Sequence, residues 1–502
     1  MRWMLACLSV FVVGGLGHAA AARAEADAAA RPNVVFILAD DLGYTDLGCY
    51  GSRYYETPNI DRMAAEGMRF TDGYTCAANC QPTRAALMSG QYGPRTGVYT
   101  VGGIYRFPWP VRPLRPVDNV TELPLEKITI AQALKRAGYA TGMFGKWHLG
   151  EDPEHHPAAR GFDEAIVSAG RHFNFRTNPP VEYPKGTYLA DFLTDRAVDF
   201  IRRHKDEPFF LYLPHFGVHS PWQAKEDWIA HFKPKKPVGG HRDPVYAGMI
   251  ASVDESVGRI LKTLDELGLG ENTLVIFSSD NGGVGGYLRE GIKGRDVTDN
   301  WPLRGGKGTF HEGGIRVPYI FRWKGRIAPG TVCRDPINSV DLYPTLLEIT
   351  GAPVPKDYVL DGVSYASLLF GGTPQDRNRG PLFWHFPGYL GSGDFTWRTT
   401  PVGVVRDGDW KLMEFFEDGR LELYNLKDDL SEQHNLAEAR PEVTARLLKT
   451  LHDWQKAIGA PMPTPNPHVY SLDEWKKLSP EEKLAAQKGK PVKAGKGADK
   501  KN

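Results

Sequence analysis

Four runs of the chain, residues 33–39, 139–144, 208–213 and 273–277, are largely apolar and rich in β-branched or aromatic side chains. Runs of that length predict strands buried on both faces, as in a parallel sheet covered by helices. Between them the apolar period lengthens to that of a helix. Residues 57–70, 125–137, 188–204, 246–267 and 341–349 predict amphipathic helices, the first with Thr57 as N-cap and Pro58 after it. A further strand is expected at 317–322. Strands alternating with helices define an α/β fold, a large mixed and mostly parallel sheet sandwiched by helices. Near residue 371 the pattern changes to short runs at 381–386, 403–406, 410–415 and 420–425, separated by turn residues such as Asp407-Gly408. These predict a small antiparallel sheet, with residues 441–458 as a helix packed on it. The chain therefore divides into a large α/β domain over 30–370 and an α+β subdomain over 371–465.

The ends read differently. Residues 1–24 hold Arg2, an apolar core from Met4 to Leu16, and small residues at Ala20-Ala21-Ala22. That is the pattern of a secretory signal peptide, too short for a membrane span. No later segment approaches the ~18 apolar residues a span needs, so the mature protein is expected to be exported, periplasmic or extracellular, or lysosomal or secreted in a eukaryote. From residue 476 the chain carries nine lysines against three acids, which predicts a tail without fixed structure over 476–502. Residues 99–124, rich in proline, aromatics and arginine, predict a long surface loop. With 61 basic and 60 acidic residues the net charge is only +1, which argues against nonspecific nucleic-acid binding as the main activity. Without Cys7 the mature chain keeps Cys49, Cys76, Cys80 and Cys333, too few for a disulfide scaffold in so long a chain. Cys49 and Cys76 are a candidate bridge.

The candidate chemistry collects at predicted strand ends. Four strands run into polar clusters: Asp40-Asp41, Lys146 with His148, His215 with His219, and Asp280-Asn281. In open α/β sheets ligands bind beyond the carboxyl ends of the strands, so four such clusters point to one site. One cluster alone would mean little, because an aspartate after a strand is usually a cap or turn residue. Three carboxylates and an amide oxygen are hard donors that suit Ca²⁺ or Mg²⁺. The absence of paired histidines at zinc spacing disfavours zinc. Cys80-Gln81-Pro82-Thr83-Arg84 adds a cysteine at a helix start, where free N–H groups and the helix dipole favour an anion. Arg84, one turn on, can reach back toward it. Lys146 and Lys307 supply point charges for a tetrahedral anion.

The segment CQPTRAALMSG resembles the signature of the type I, formylglycine-dependent sulfatases of the alkaline phosphatase superfamily, with Thr83 where serine is commoner. The likeness extends to ADDLGYTDLGCYG, GYATGMFGKWHLG, HSP at 219–221, SSDNGG and LRGGKGTFHEGGIRVP, in that order. It implies that Cys80 is oxidised to formylglycine by a maturation enzyme, and that Asp40, Asp41, Asp280 and Asn281 bind Ca²⁺ (Mg²⁺ as the lesser candidate) together with the modified Cys80. It implies that Arg84 and His148 hold the aldehyde hydrate, Lys146 and Lys307 bind sulfate oxygens, and His219 protonates the leaving alcohol. One hydroxyl of the hydrate would attack sulfur, and the other would later expel sulfate from the covalent intermediate, splitting the hydrolysis into two easier steps. With export, the likeness points to sulfated carbohydrates as substrates. A phosphodiesterase or phosphonate monoester hydrolase of the same superfamily, or a non-catalytic binder of sulfated glycans, stand as alternatives at this level.

Overall fold

The computed structural model describes residues 31–377, 379–391 and 395–490; the expected signal peptide and the last residues of the lysine-rich tail lie outside them. An eight-stranded sheet dominates. Its strands in chain order are β1 (Asn33–Ala39), β2 (Met68–Phe70), β3 (Ala140–Gly145), β4 (Glu164–Val167), β5 (Phe209–Pro214), β6 (Thr273–Ser279), β7 (Tyr319–Arg322) and β8 (Thr331–Cys333). They lie in the order β8-β2-β7-β6-β1-β5-β3-β4. β6, β1, β5, β3 and β4 are parallel, while β7 runs against both β6 and β2.

β1 explains the architecture. Val35, Ile37 and Ala39 point into one apolar cluster with helices α1 (Pro58–Ala65), α2 (Leu189–Arg203) and α3 (Pro244–Glu266). Val34, Phe36 and Leu38 point into a second cluster with residues of the Cys80–Ser89, Ile130–Arg136 and Leu342–Thr350 helices. Alternating side chains thus feed opposite faces, and each large apolar side chain fully buried there contributes roughly 1.5–3 kcal/mol. A strand with no polar face has to sit inside a covered sheet.

The smaller antiparallel sheet follows the order β9 (Leu382–Phe386), β10 (Val402–Asp407), β11 (Trp410–Phe415), β12 (Leu421–Asn425). One face takes Leu447 and Leu451 of the Pro441–Ile458 helix. The other buries Trp384, Val404 and Met413 against Ala78, Phe310 and Ile315, so this sheet backs the loops on either side of the strand-end crevice. Lys411 of β11 is fully buried, 2.9 Å from Glu312 Oε1 and 2.8 Å from Glu432 Oε1. Glu432 also accepts the Glu312 backbone N–H at 2.7 Å.

Three expectations need correction. The helix expected over 57–70 stops at Ala65, because a side chain at Gly67 would meet the Phe321 carbonyl at 2.0 Å; the chain turns there and pairs with β7. The lysine-rich stretch from residue 476 is not structureless as far as it is described. Leu472–Lys477 and Pro480–Gln487 are helices with capping boxes at Ser471 and Ser479, and Tyr470, Trp475, Leu478 and Ala486 pack together. The 99–124 segment carries only short turns and one two-residue strand, as a surface loop should, and it is anchored: Trp109 is buried, and Leu114–Arg115 pairs with Thr464–Pro465. Cys49, Cys76, Cys80 and Cys333 are all free thiols, so the candidate Cys49–Cys76 bridge does not form.

Removing Lys411 would leave the buried Glu432 carboxylate without its cation and Glu312 with Arg316 alone. The expected cost of Lys411→Met is about 3–5 kcal/mol, read from the denaturant midpoint. A loss under ~1 kcal/mol would mean that this cluster does not join the two sheets.

Candidate active site

Register brings the strand-end residues together. Leu38 of β1 pairs with Pro214 of β5 and Ser278 of β6, and β3 lies on the far side of β5. The residues that follow these strands therefore emerge along one edge. Backbone bonds continue the ladder past the strand ends: Asp280 N–H donates to Ala39, His215 N–H to Leu38, and Lys146 N–H to Pro214. The Cys80–Ser89 helix enters beneath, with Asn79 as N-cap and Cys80 in its first turn.

Around Cys80 lie three buried carboxylates and their cations. Arg84 is completely buried; its Nε donates to Asp280 Oδ2 at 2.9 Å and an NH group to the Lys146 carbonyl at 2.5 Å. Lys146 Nζ is 2.6 Å from Asp40 Oδ2, and Lys307 Nζ is 2.7 Å from Asp41 Oδ2. Asn281 Nδ2 donates to Asp41 Oδ1 at 2.9 Å, and the Asp41 N–H donates to Asp280 Oδ1 at 3.2 Å. His219 Nε2 lies 3.6 Å from Asp41 Oδ2, while its Nδ1 donates to the Ser220 carbonyl at 2.6 Å. Both Asp41 and His148 take a left-handed backbone at φ 65°, an uncommon conformation that clusters at functional sites.

Electrostatics follow from burial and charge. Burial alone would raise the Asp41 carboxyl, but Lys307, His219 and Lys146 outweigh it and hold it well below the usual range. Burial and the neighbouring Asp40 charge push Asp280 up, against Arg84 and Lys146. Lys146 and Lys307 stay charged because Asp40 and Asp41 respectively outweigh the cost of their burial. Burial, then the Lys146 and Arg84 charges, hold His148 neutral. Burial lowers His219 to about 4, with Lys307 and Lys146 helping and Asp41 opposing. The Cys80 thiol, 2% exposed, is pushed up by burial despite both lysines, so the unmodified side chain is a poor nucleophile.

The donor set fits a hard cation. Single ligand atoms of Asp40, Asp41, Cys80 and His219 all lie within 4.8 Å of one another. Asp40 Oδ1 and Asn281 Oδ1 are buried with no hydrogen-bond partner, a costly state unless something else satisfies them. Crowded carboxylates with orphaned oxygens are what a Ca²⁺ or Mg²⁺ ion would relieve.

All the predicted site residues gather here, and Cys80, Lys146, His148, His219 and Lys307 line one cleft of about 370 Å³. Arg84 differs from the expectation in that its guanidinium is committed to Asp280 and the Lys146 carbonyl. Other charged or titratable side chains nearby are structural. His215 Nε2 bonds Ser256 Oγ at 2.9 Å inside the core, Arg304 is held by Glu290 and Tyr424, and Arg112 pairs with Glu417. His172 stacks between Tyr188 and Phe216 and binds the His219 carbonyl at 2.8 Å, which steadies that loop. Arg398 also lines the cleft and was missed by sequence reasoning. It comes from the short Trp397–Thr399 strand of the C-terminal part, about ninety residues beyond Lys307, where no motif marks it.

Such a cleft suits an ester whose reacting end is a small tetrahedral anion. The sulfatase family model matches residues 32–352, and the chain belongs to that family. A second model, described as N-sulphoglucosamine sulphohydrolase, C-terminal, matches residues 306–457. The chain is 35% identical to a sulfatase of Formosa agariphila, across 88% of this chain and 92% of that protein. It is 35% identical to the N-acetylgalactosamine-6-sulfatase of Canis lupus familiaris, across 76% and 72% respectively. The crystal structure of Ps i-CgsB in complex with k-i-k-neocarrahexaose matches with a TM-score of 0.71 at 29% identity, covering 90% of this chain and 99% of that one. The protein is thus a sulfuric ester hydrolase.

If the orphaned oxygens mark a cation site, adding Ca²⁺ to chelator-treated protein raises the unfolding temperature by a few degrees. Asp40→Asn should abolish most of that rise; an equal rise in the variant would place the cation elsewhere.

Proposed function

We propose that the enzyme is an exported, metal-dependent sulfatase that hydrolyses sulfate esters of sulfated carbohydrates at Cys80. The observation that carries this reading is the convergence of Cys80 with Lys146, Lys307, His148 and His219 in one cleft, backed by Asp40, Asp41 and Asn281. The substrate class is supported by relatives named N-acetylgalactosamine-6-sulfatase and by a structural neighbour in complex with k-i-k-neocarrahexaose. Export is proposed from the sequence of residues 1–24.

Each residue has a role its surroundings permit. Lys146 and Lys307 hold the sulfate oxygens: their ammonium groups reach the cleft and stay charged despite burial. Such preorganised charge stabilises what develops on the sulfuryl oxygens in the transition state. Asp40, Asp41, Asp280 and Asn281 would hold Ca²⁺, with Mg²⁺ the competitor; the ion supplies Lewis acidity and favours deprotonation of the attacking hydroxyl. Modified by a maturation enzyme to formylglycine, Cys80 would supply a hydrated aldehyde, one of whose hydroxyls attacks sulfur while the other releases sulfate. His148 lines the cleft with Cys80, and Arg84, one turn along the same helix, steadies the neighbouring Asp280. His219 is neutral at rest; an incoming sulfate offsets Lys307 and Lys146, raises the imidazole pKa, and lets it deliver a proton to the leaving alcohol.

Two substitutions test this with sulfated sugars and an aryl sulfate. Cys80→Ala should lose turnover of both while keeping the parent's unfolding temperature. His219→Ala should lower kcat by about 10²–10⁴-fold on the sugar, and by much less on the aryl ester, whose leaving group needs no proton. Equal losses on both would remove His219 as the proton donor, and sulfate release by Cys80→Ala would sink the reading.

A further inference from the structure

The cleft holds more positive charge than one sulfate ester needs. Lys146 and Lys307 are each matched by an aspartate at 2.6–2.7 Å. Arg106 and Arg398 line the same cleft, and among the described residues neither pairs with a carboxylate. Four other arginines nearby are paired: Arg84 with Asp280, Arg304 with Glu290, and Arg316 and Arg406 with Asp72. Glu151 is the lining acid outside the strand-end cluster; it is exposed and bonds neither arginine.

Arg398 is held by its surroundings, whereas Arg106 is exposed and tethered by one bond, from an NH group to the Val101 carbonyl at 3.2 Å. The Arg398 guanidinium lies 4.3 Å from the Tyr287 ring centroid and donates to the Lys307 carbonyl at 3.4 Å, and its Nε is buried without a partner. It fits there because residue 308 is glycine, at φ 89°; a Cβ on Gly308 would stand 3.0 Å from Arg398 Cδ. Arg106 ends the Ile104–Arg106 turn and lies over the Phe107 ring at 5.3 Å. Its neighbours on both sides are tied down: Gln487 Nε2 donates to the Tyr105 carbonyl at 2.9 Å and to the Phe107 carbonyl at 3.0 Å. The packed C-terminal helix therefore brackets Arg106 at the cleft. The two arginines also feel one another, because burial and then the Arg398 charge lower the Arg106 pKa against the influence of Cys80. Fixed like charges facing one cleft without a counter-charge are unfavourable in the free protein and become favourable when an anion enters.

We propose that Arg106 and Arg398 form a second anion subsite, so that the preferred substrates are sulfated sugars carrying a further negative group beside the reacting ester. This rests on the sulfatase reading above and narrows it. The shared chemistry is a planar or tetrahedral oxyanion, either a second sulfate or the carboxylate of a uronic acid, both of which match a guanidinium fork. Phe107 and Leu390, also lining the cleft, offer apolar surface to the sugar ring between the two anions.

The test separates binding from turnover. Three ligands are compared: a monosulfated N-acetylhexosamine, the same sugar with a second sulfate, and the same sugar linked to a uronic acid. Calorimetric titration of Cys80→Ala protein should show at least one of the two dianionic ligands binding about 10- to 100-fold more tightly than the monosulfate, and which one identifies the anion. Adding Arg106→Gln or Arg398→Gln to that background should each narrow the ratio, and the active enzyme should show the same ratio in kcat/KM through KM. Equal affinity for all three ligands, or a preference that survives both substitutions, overturns the subsite. Preferential binding with no sulfate released from any ligand by the mature enzyme would leave the subsite standing and overturn the sulfatase reading instead.

Discussion

The site depends on a charge balance that the sheet enforces. Parallel strands β6, β1, β5 and β3 end together and bring Asp280, Asp40, Asp41 and Lys146 into a volume from which water is largely excluded. Three carboxylates there would repel strongly in a low-dielectric interior. Arg84, Lys146 and Lys307 offset part of that repulsion, and the two lysines also line the cleft at Cys80. The same ion pairs that make the strand ends tolerable also hold the cations in place at the cleft. They leave Asp40 Oδ1 and Asn281 Oδ1 unsatisfied, and under the proposed function a metal ion would sit against those two oxygens.

The smaller sheet is part of this arrangement. Its buried face packs on Ala78 and Phe310, next to Cys80 and Lys307 in sequence, and Trp384 Nε1 donates to the Thr75 carbonyl at 2.6 Å. Lys411, between Glu312 and Glu432, fixes the segment that follows Lys307. Beyond this sheet the chain returns along the 104–115 segment and fastens it, so cleft residues from the first quarter of the chain are held by its last thirty described residues. The strand-end loops and the 104–115 segment thus have separate supports.

Much of this was legible in the sequence because it depends on local signals. Apolar strands with no polar face announce a covered sheet, and polar clusters at their ends announce where a ligand lies. The order of six motifs then carried the family. What was not legible depends on contacts between distant segments. Gly67 ends a predicted helix because a strand 254 residues later passes within contact of it. The lysine count at the C-terminus hid two capped helices, since Tyr470, Trp475 and Leu478 supply the few apolar contacts they need. Arg84 reads as a partner of Cys80 one turn away, yet Asp280, brought in by strand register, takes its guanidinium. Arg398 carries no local mark at all; only the fold sets it beside Lys307.

The central claim is that the working group at the head of the Cys80–Ser89 helix is not a thiol. Mass spectrometry of the peptide containing Cys80, from a preparation that releases sulfate, tests it most directly. The account predicts the mass of formylglycine at position 80, in a fraction of molecules that tracks specific activity. A fully active preparation in which every Cys80 retains its thiol would contradict it.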